Sequence, residues 1–375
     1  MKSIFFISLT SLIVFSSCSI FDNEYEEHLI LTFEGYTFYE PLMLITDVDG
    51  RLLDSARITK EVTNFYSNRF PEKITASVVY RFDNFIDIRS YFHIKTGDTL
   101  NTILPETAAS SSINLDVDDI LTPFVVHGNG VPIKSYDVEY SANDPVELSS
   151  ESSLSFIHYD GKKMYFNIFE NISTQQLRIT LEDLEEMAFQ KITSPQTWYL
   201  SAVKVPYANS KIMHNAALDP IFYNDGLFYP KDFDYYLTKF TFPSEDPKEH
   251  YNYNIYGEIP SSIQSLDIGE ISLPQSASHF HSSSSNPEVD VVITQMGDAD
   301  HLNLVKIIGP NDENLATSEL VDLVKEIYPE NNFNVDILEI ISLYDYKDIS
   351  YDEFIDQFSG NEELELTHQR YTKYY

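Results

Sequence analysis

The chain has 375 residues, 43% of them hydrophobic, with 24 basic against 59 acidic side chains and a formal net charge of −35. That length and apolar content support two or three domains with their own cores and exclude an intrinsically disordered chain. The charge repels phosphate backbones and anionic lipid surfaces, which excludes nucleic acid as a partner. The 26 Tyr and 25 Phe, against a single Trp, suit pleated, half-buried surfaces and point to β structure.

Met1-Lys2 is followed by a mainly apolar run from Ile4 to Phe15 and then by Ser16-Ser17-Cys18. A short basic start, an apolar stretch and small residues before a cut site predict a secretory signal peptide over 1–17. Such a run is far shorter than the roughly 20 residues that span a bilayer as a helix. Phe15-Ser16-Ser17-Cys18 resembles the lipobox of bacterial lipoproteins, with Phe15 where that family usually has Leu. The resemblance implies cleavage before Cys18, a diacylglyceryl thioether on its sulfur and an acylated new N-terminus. It implies a lipid-anchored protein of the outer membrane, on its outer surface or facing the periplasm. An ordinary signal peptide with an incidental cysteine is the alternative. Ser19 stands where Asp often marks inner-membrane retention in the family, and Asp22, Glu24, Glu26 and Glu27 resemble acidic export tags or form a solvated tether over 18–28. Cys18 is the sole cysteine, so the mature chain is expected to hold by packing without disulfides.

Period-two alternation then begins. Pro41 to Val48 and Arg51 to Ile58 flank Asp49-Gly50, a short-turn signal, and Ile74 to Phe82 and Ile86 to Lys95 flank Asp83-Asn84. Residues 29–104 therefore read as a small β-sandwich-like domain, and 105–114 as a linker. Residues 115–273 read as a second β-rich, sandwich-like domain. Leu154 to Tyr159 and Lys162 to Glu170 form a hairpin about Asp160-Gly161, and Tyr235 to Phe242 and Tyr251 to Ile259 add strands. One helix is expected after Thr180, with Asp183 at the capping-box position and Leu184, Ala188 and Ile192 on one apolar face.

Residues 274–288, PQSASHFHSSSSNPE, read as a Ser-rich linker. Beyond it, 289–375 reads as a small α/β module. Val289 to Ile293 and Leu302 to Ile308 are strands, and Leu320, Leu323, Val324 and Ile327 define a helix ended by Pro329. Ser350 and Glu353 cap a short helix that Gly360 can end, while Val335 to Tyr344 fits strand or helix. The fold class is thus mainly β: two antiparallel sandwich-like domains followed by a small α/β module.

Motifs for catalysis are missing. There is no GxSxG, no HExxH and no Gly-rich phosphate loop, and no cofactor is expected. Asp47-Val48-Asp49-Gly50 lacks the flanking ligands of an EF-hand, since Ile45 and Ala56 occupy those places. His279 and His281 are weak metal-ligand candidates with Asp298, Asp300 or His301, but they sit in the linker. Trp198, Tyr199, Tyr251, Tyr253 and Tyr256, interleaved with Asn252 and Asn254, are the candidate ligand-binding residues. Aromatic faces stack on sugars and amides bond their hydroxyls. Against that, Tyr251, Tyr253 and Ile255 could simply face a sandwich core. The function expected is a lipid-anchored envelope binding or accessory protein, for glycan or a partner outer-membrane protein. The alternatives are a lipoprotein hydrolase and a structural envelope component.

Cys18→Ala should release the protein from the membrane fraction and abolish labelling by a fatty-acid analogue, because two acyl chains anchor stably and none does not. Unchanged partitioning into the detergent phase would refute the anchor.

Overall fold

The structure is a computed structural model that describes residues 27–35, 40–82, 85–101, 111–117, 124–128, 131–136, 145–148, 153–170, 172, 176–195, 197–198, 200–206, 213–215, 226–264, 267–273, 281–298, 303–312, 318–329, 333, 335, 337–357 and 366–375. The chain is mainly β, built on a twelve-stranded sheet. Its strands in chain order are β1 (Leu42–Asp47), β2 (Leu52–Arg57), β3 (Lys73–Arg81), β4 (Ile86–Lys95), β5 (Leu200–Pro206) and β6 (Met213–Asn215). They continue with β7 (Tyr236–Phe242), β8 (Glu249–Gly257), β9 (Val291–Gly297), β10 (Asn303–Pro310), β11 (Ile337–Tyr346) and β12 (His368–Tyr374). The order across the sheet is β6-β5-β7-β8-β12-β11-β9-β10-β4-β3-β1-β2.

The expected hairpins form where the turn chemistry puts them. β1 and β2 pair about Asp47–Gly50, where Gly50 has φ 80° and the Asp47 carboxylate accepts the N–H groups of Asp49 and Arg51 at 3.0 and 2.9 Å. Asp47 is therefore a turn-former, as Asx geometry favours. Leu154–Tyr159 pairs with Met164–Phe169 about Gly161, at φ 94°. Helices α1 (Ser318–Ile327) and α2 (Tyr351–Gln357) lie where periodicity and capping predict them. At α2 the Ser350 N–H donates to the Glu353 carboxylate at 2.8 Å.

Two faces of the sheet build separate cores. On one, α1 packs Leu320, Val321 and Val324 on Ile86, Ile88, Val305 and Ile307. On the other, α2 and a three-stranded sheet (His28–Glu34, Val62–Ser67, Thr99–Asn101) cover Met43, Ile45, Val78, Tyr91, Ile293 and Tyr344. This is the first sandwich. At the far end of the α1 face, Phe240, Phe242, Tyr253 and Val203 meet Ile157, Met164 and Phe166 of a five-stranded sheet. That sheet packs its other side, through Phe124, Val126, Leu154 and Phe156, on Ile113, Leu115 and Ile179 of a further three-stranded sheet.

Three expectations need correction. The twelve strands come from 42–95, 200–257 and 291–374, so one hydrogen-bonded sheet runs through all three expected domains. The small C-terminal module of helices and strands is present, and its four long strands lie in the middle of that sheet. Ser111–Val117 is a strand, which trims the 105–114 linker, and the 274–288 linker is docked from His281 onward. There Ser283–Ser284 pairs with Ile271–Ser272, the Ser282 N–H donates to Thr294 Oγ1 at 3.0 Å, and Asn311 Nδ2 donates to the carbonyls of Ser284 and Asn286. Polar composition suggested a solvated segment; the polar groups instead bond to the fold. Finally, the helix after Thr180 is one 3-10 turn, Leu181–Asp183, followed by strands Glu185–Glu186 and Ala188–Lys191. Leu184 serves one core while Met187 and Ile192 serve another, a division that a single helical stripe cannot make.

Within the long sheet, among the described residues, β4 and β10 make the parallel pairing. The buried Tyr351 hydroxyl sits at the end of this seam, 2.6 Å from the Phe92 carbonyl and 3.1 Å from that of Ile308. Burial raises the Tyr351 phenol well above its usual range, so it remains a donor. Tyr351→Phe should lower stability by roughly 1–2 kcal/mol, the cost of leaving a buried acceptor short of its donor. A urea midpoint equal to that of the parent would contradict this role for the hydroxyl.

Candidate functional site

The loop from Pro230 to Tyr235 is held from below. The buried Tyr236 hydroxyl donates to the Pro230 carbonyl at 2.8 Å, and the Tyr229 ring meets Tyr236 edge-on at 5.5 Å. Asp232 takes a left-handed conformation, φ 65°, which Asp tolerates better than most side chains. The turn carries Phe233 back to within 6.3 Å of the Phe166 ring, edge to face. Opposite stand Met164–Phe169 and the edge strand Glu185–Glu186 of the five-stranded sheet.

Between loop and sheet lies an open cleft of about 620 Å³. Five carboxylates line it, from Glu170, Glu185, Glu186, Asp232 and Asp234, together with Lys231 and the rings of Phe166, Phe233 and Tyr235. Glu186 is already engaged by Lys163 at 2.6 Å, and both side chains are about half exposed. Tyr256 of β8 lies beside Tyr235, with ring centroids 4.8 Å apart and ring planes tilted by 36°. The cleft therefore offers flat apolar ring surfaces beside acceptor-only groups. That combination suits a ligand with C–H faces and hydroxyl or ammonium donors.

The residues expected from sequence divide sharply. Trp198 is 4% exposed and meets Phe240 edge-on at 5.4 Å, and Tyr253 is 8% exposed in the same core. Tyr251 shares that face of β8 and packs against the Tyr371 ring at 4.9 Å. These three serve the core, as strand alternation allows. Asn252 and Asn254 point to the other face, where Asn252 Oδ1 accepts from Thr241 and Asn254 Nδ2 donates to His368 Nε2. Tyr256 shares the face of Asn252 and Asn254 and touches the cleft-lining Tyr235 without lining the cleft itself. The loop residues Asp232, Phe233 and Tyr235 were missed, although Pro230-Lys231-Asp232 between aromatic strands carries a turn signal. Cys18, Tyr199 and His279 lie outside the described residues.

Among the described residues no group of three His, Cys, Asp or Glu is placed to hold a metal. His281 is buried, its Nε2 donating to the Pro310 carbonyl at 2.9 Å while Nδ1 is buried with no hydrogen-bond partner. It is placed as a pin for the docked segment. No protein-family model matches the chain, and no curated protein matches it, so functional inference starts from the geometry and the leader.

Burial holds the His281 imidazole down at about 4, against the Pro310 carbonyl and Asp312, which raise it; His93 lowers it further. The folded value lies below the unfolded one of about 6.5. Its contribution is therefore complete above that value and is lost as pH falls from about 6.5 towards 4. His281→Gln should flatten the decline of the urea midpoint over this range, by an amount on the order of 2–3 kcal/mol at the acid end. Parallel pH profiles for variant and parent would reject this linkage.

Proposed function

We propose that the protein is a lipid-anchored binding or accessory protein of the bacterial outer membrane, and that the cleft beneath the 230–235 loop takes a segment of glycan. The observation that carries the glycan reading is the set of rings Phe166, Phe233 and Tyr235 lining one cleft with five carboxylate acceptors. Sugar rings present C–H faces to aromatic rings and hydroxyl donors to carboxylates. The cleft volume falls in the range of sites for small ligands, roughly 300–1,000 Å³, which favours a short glycan segment over a protein surface. The leader and Cys18 support the envelope location, by resemblance to lipoproteins.

A hydrolase reading draws on the same carboxylates but is less well supported. A general acid needs a carboxyl whose surroundings hold its proton. Glu185 and Glu186 are exposed neighbours on an edge strand, pointing to opposite faces, and Glu186 is paired with Lys163. Binding without chemistry fits these groups better.

The mature lipoprotein in detergent micelles, titrated calorimetrically against a panel of envelope and plant oligosaccharides, tests the reading. Tyr235→Ala should weaken binding roughly tenfold, the equivalent of about 1.4 kcal/mol, with little change in thermal midpoint. If Tyr235→Ala binds as the parent does, the cleft is not the site; if the oligosaccharide is cleaved, the hydrolase reading replaces this one.

A further inference from the structure

The three-stranded sheet gives one side to the core and shows the other outward. In strand Val62–Ser67, Phe65 and Ser67 are buried while Val62, Asn64 and Tyr66 are exposed, as a two-residue period requires. Register sets Leu29 opposite Tyr66 on that outer side. Just after the strand, the Phe70 ring meets the His28 ring edge-on at 5.6 Å. Leu29, Val62, Tyr66 and Phe70, each between 38% and 58% exposed, form one apolar strip along an edge strand. Single exposed apolar side chains are ordinary, whereas contiguous ones mark a contact surface.

Charge and position both point to what covers this strip. Val62 to Phe70 contains no acidic residue and one basic one, Arg69, in a chain with 59 acidic residues among 375. Arg69 is exposed beside Phe70, and Lys60 is exposed just ahead of the strand, next to Glu61. Charges are screened over about 8 Å at physiological salt, so a surface touching the strip feels this stretch more than the −35 of the whole chain. Apolar and aromatic side chains flanked by Arg and Lys suit a membrane interface, where rings sit at headgroup depth and cations meet phosphates. The strip also lies where the chain enters the fold. Cys18 precedes His28 by ten residues, which span at most about 35 Å. A lipid on Cys18 therefore keeps the strip within that distance of the bilayer.

We propose that this strip is the face the protein lays against its own bilayer, with Val62, Tyr66 and Phe70 entering the headgroup–acyl boundary. The inference rests on the reading of Cys18 as the lipid anchor. Contact through so few side chains is too weak to recruit a free protein. Tethering makes the contact intramolecular, and the high effective concentration then favours it. The contact also orients the molecule. The Tyr66 N–H donates to the Asp54 carboxylate of β2, so the strip runs beside that edge of the long sheet. β2 and β7 stand nine places apart in the sheet order, roughly 43 Å at the usual strand spacing. The 230–235 loop leads into β7, so docking by the strip holds the cleft away from the lipid and open to ligand.

The test uses the full-length lipoprotein reconstituted in vesicles of phosphatidylethanolamine and phosphatidylglycerol. Cys18 is the sole cysteine and its sulfur would carry the lipid, so Phe70→Cys and Lys162→Cys each supply one thiol for a nitroxide label. Lys162 is exposed in the hairpin turn of the five-stranded sheet. In floated vesicles the Phe70→Cys label should collide about threefold less with a water-soluble nickel chelate than the Lys162→Cys label, and more with oxygen, which concentrates in lipid. Val62→Ser with Tyr66→Ser, both on the exposed face, should restore nickel access to the Phe70→Cys label. Equal nickel access at the two labels, in protein that floats, would overturn the docking face and leave the anchor standing. Shielding from nickel and oxygen together would overturn it in favour of contact between copies. Protein that does not float would refute the anchor, and the docking face with it.

Discussion

The parallel seam between β4 and β10 is the constraint on which the rest of the molecule depends. It joins strands far apart in sequence, and each side of it carries several antiparallel neighbours. Separated, the two halves would expose long rows of unpaired N–H and C=O groups, which invite association. The two helices and the Tyr351 hydroxyl act on this junction: α1 covers β4 and β10 from one side, and α2 and its tyrosine close the other. Non-local pairing of this kind makes folding slow, since the closure entropy is lost before the contacts form. The sandwiches at the two ends are therefore not independent units, although each has its own apolar core.

The division of the sheet's two faces follows from the same geometry. The α1 face is apolar from β4 to β5, because α1 lies on one end and the five-stranded sheet on the other. The α2 face is apolar only where α2 and the N-terminal strands cover it. Beyond them it turns polar, and its buried groups bond one another: Thr241 to Asn252, Ser342 to Thr372, Asn254 to His368. Satisfied networks in a low-dielectric setting are stiff. The Tyr235 cleft, by contrast, rests on a loop held by the Tyr236 hydroxyl.

Local structure was largely legible in the sequence, and its assembly was not. The hairpins about Asp49-Gly50 and Asp160-Gly161, α1 ahead of Pro329 and the Ser350 cap all follow from turn chemistry and periodicity, which act within a few residues. What failed required knowledge of distant partners. The serines of 281–285 look solvated until Thr294 and Asn311 are seen bonding Ser282 and Ser284. Leu184 and Ile192 look like one helical face until the sheets place two cores there. In the candidate site the aromatic run of β8 was visible, but alternation sends Tyr251 and Tyr253 into the core and Tyr256 to the opposite face, and the cleft is lined instead by the 230–235 loop.

Edges are what an open sheet of this length must control. One edge strand, β6, has only three residues, too few to template another chain. At the opposite edge the Asp54 carboxylate of β2 accepts the Tyr66 N–H at 2.9 Å, tying that strand to the sheet beneath it. Arg57 is exposed at the end of β2, and charge on an edge strand discourages further pairing. The acidic excess works in the same direction over longer distances by keeping copies apart. Short edge strands, edge charge and net repulsion thus act together against sheet-to-sheet association.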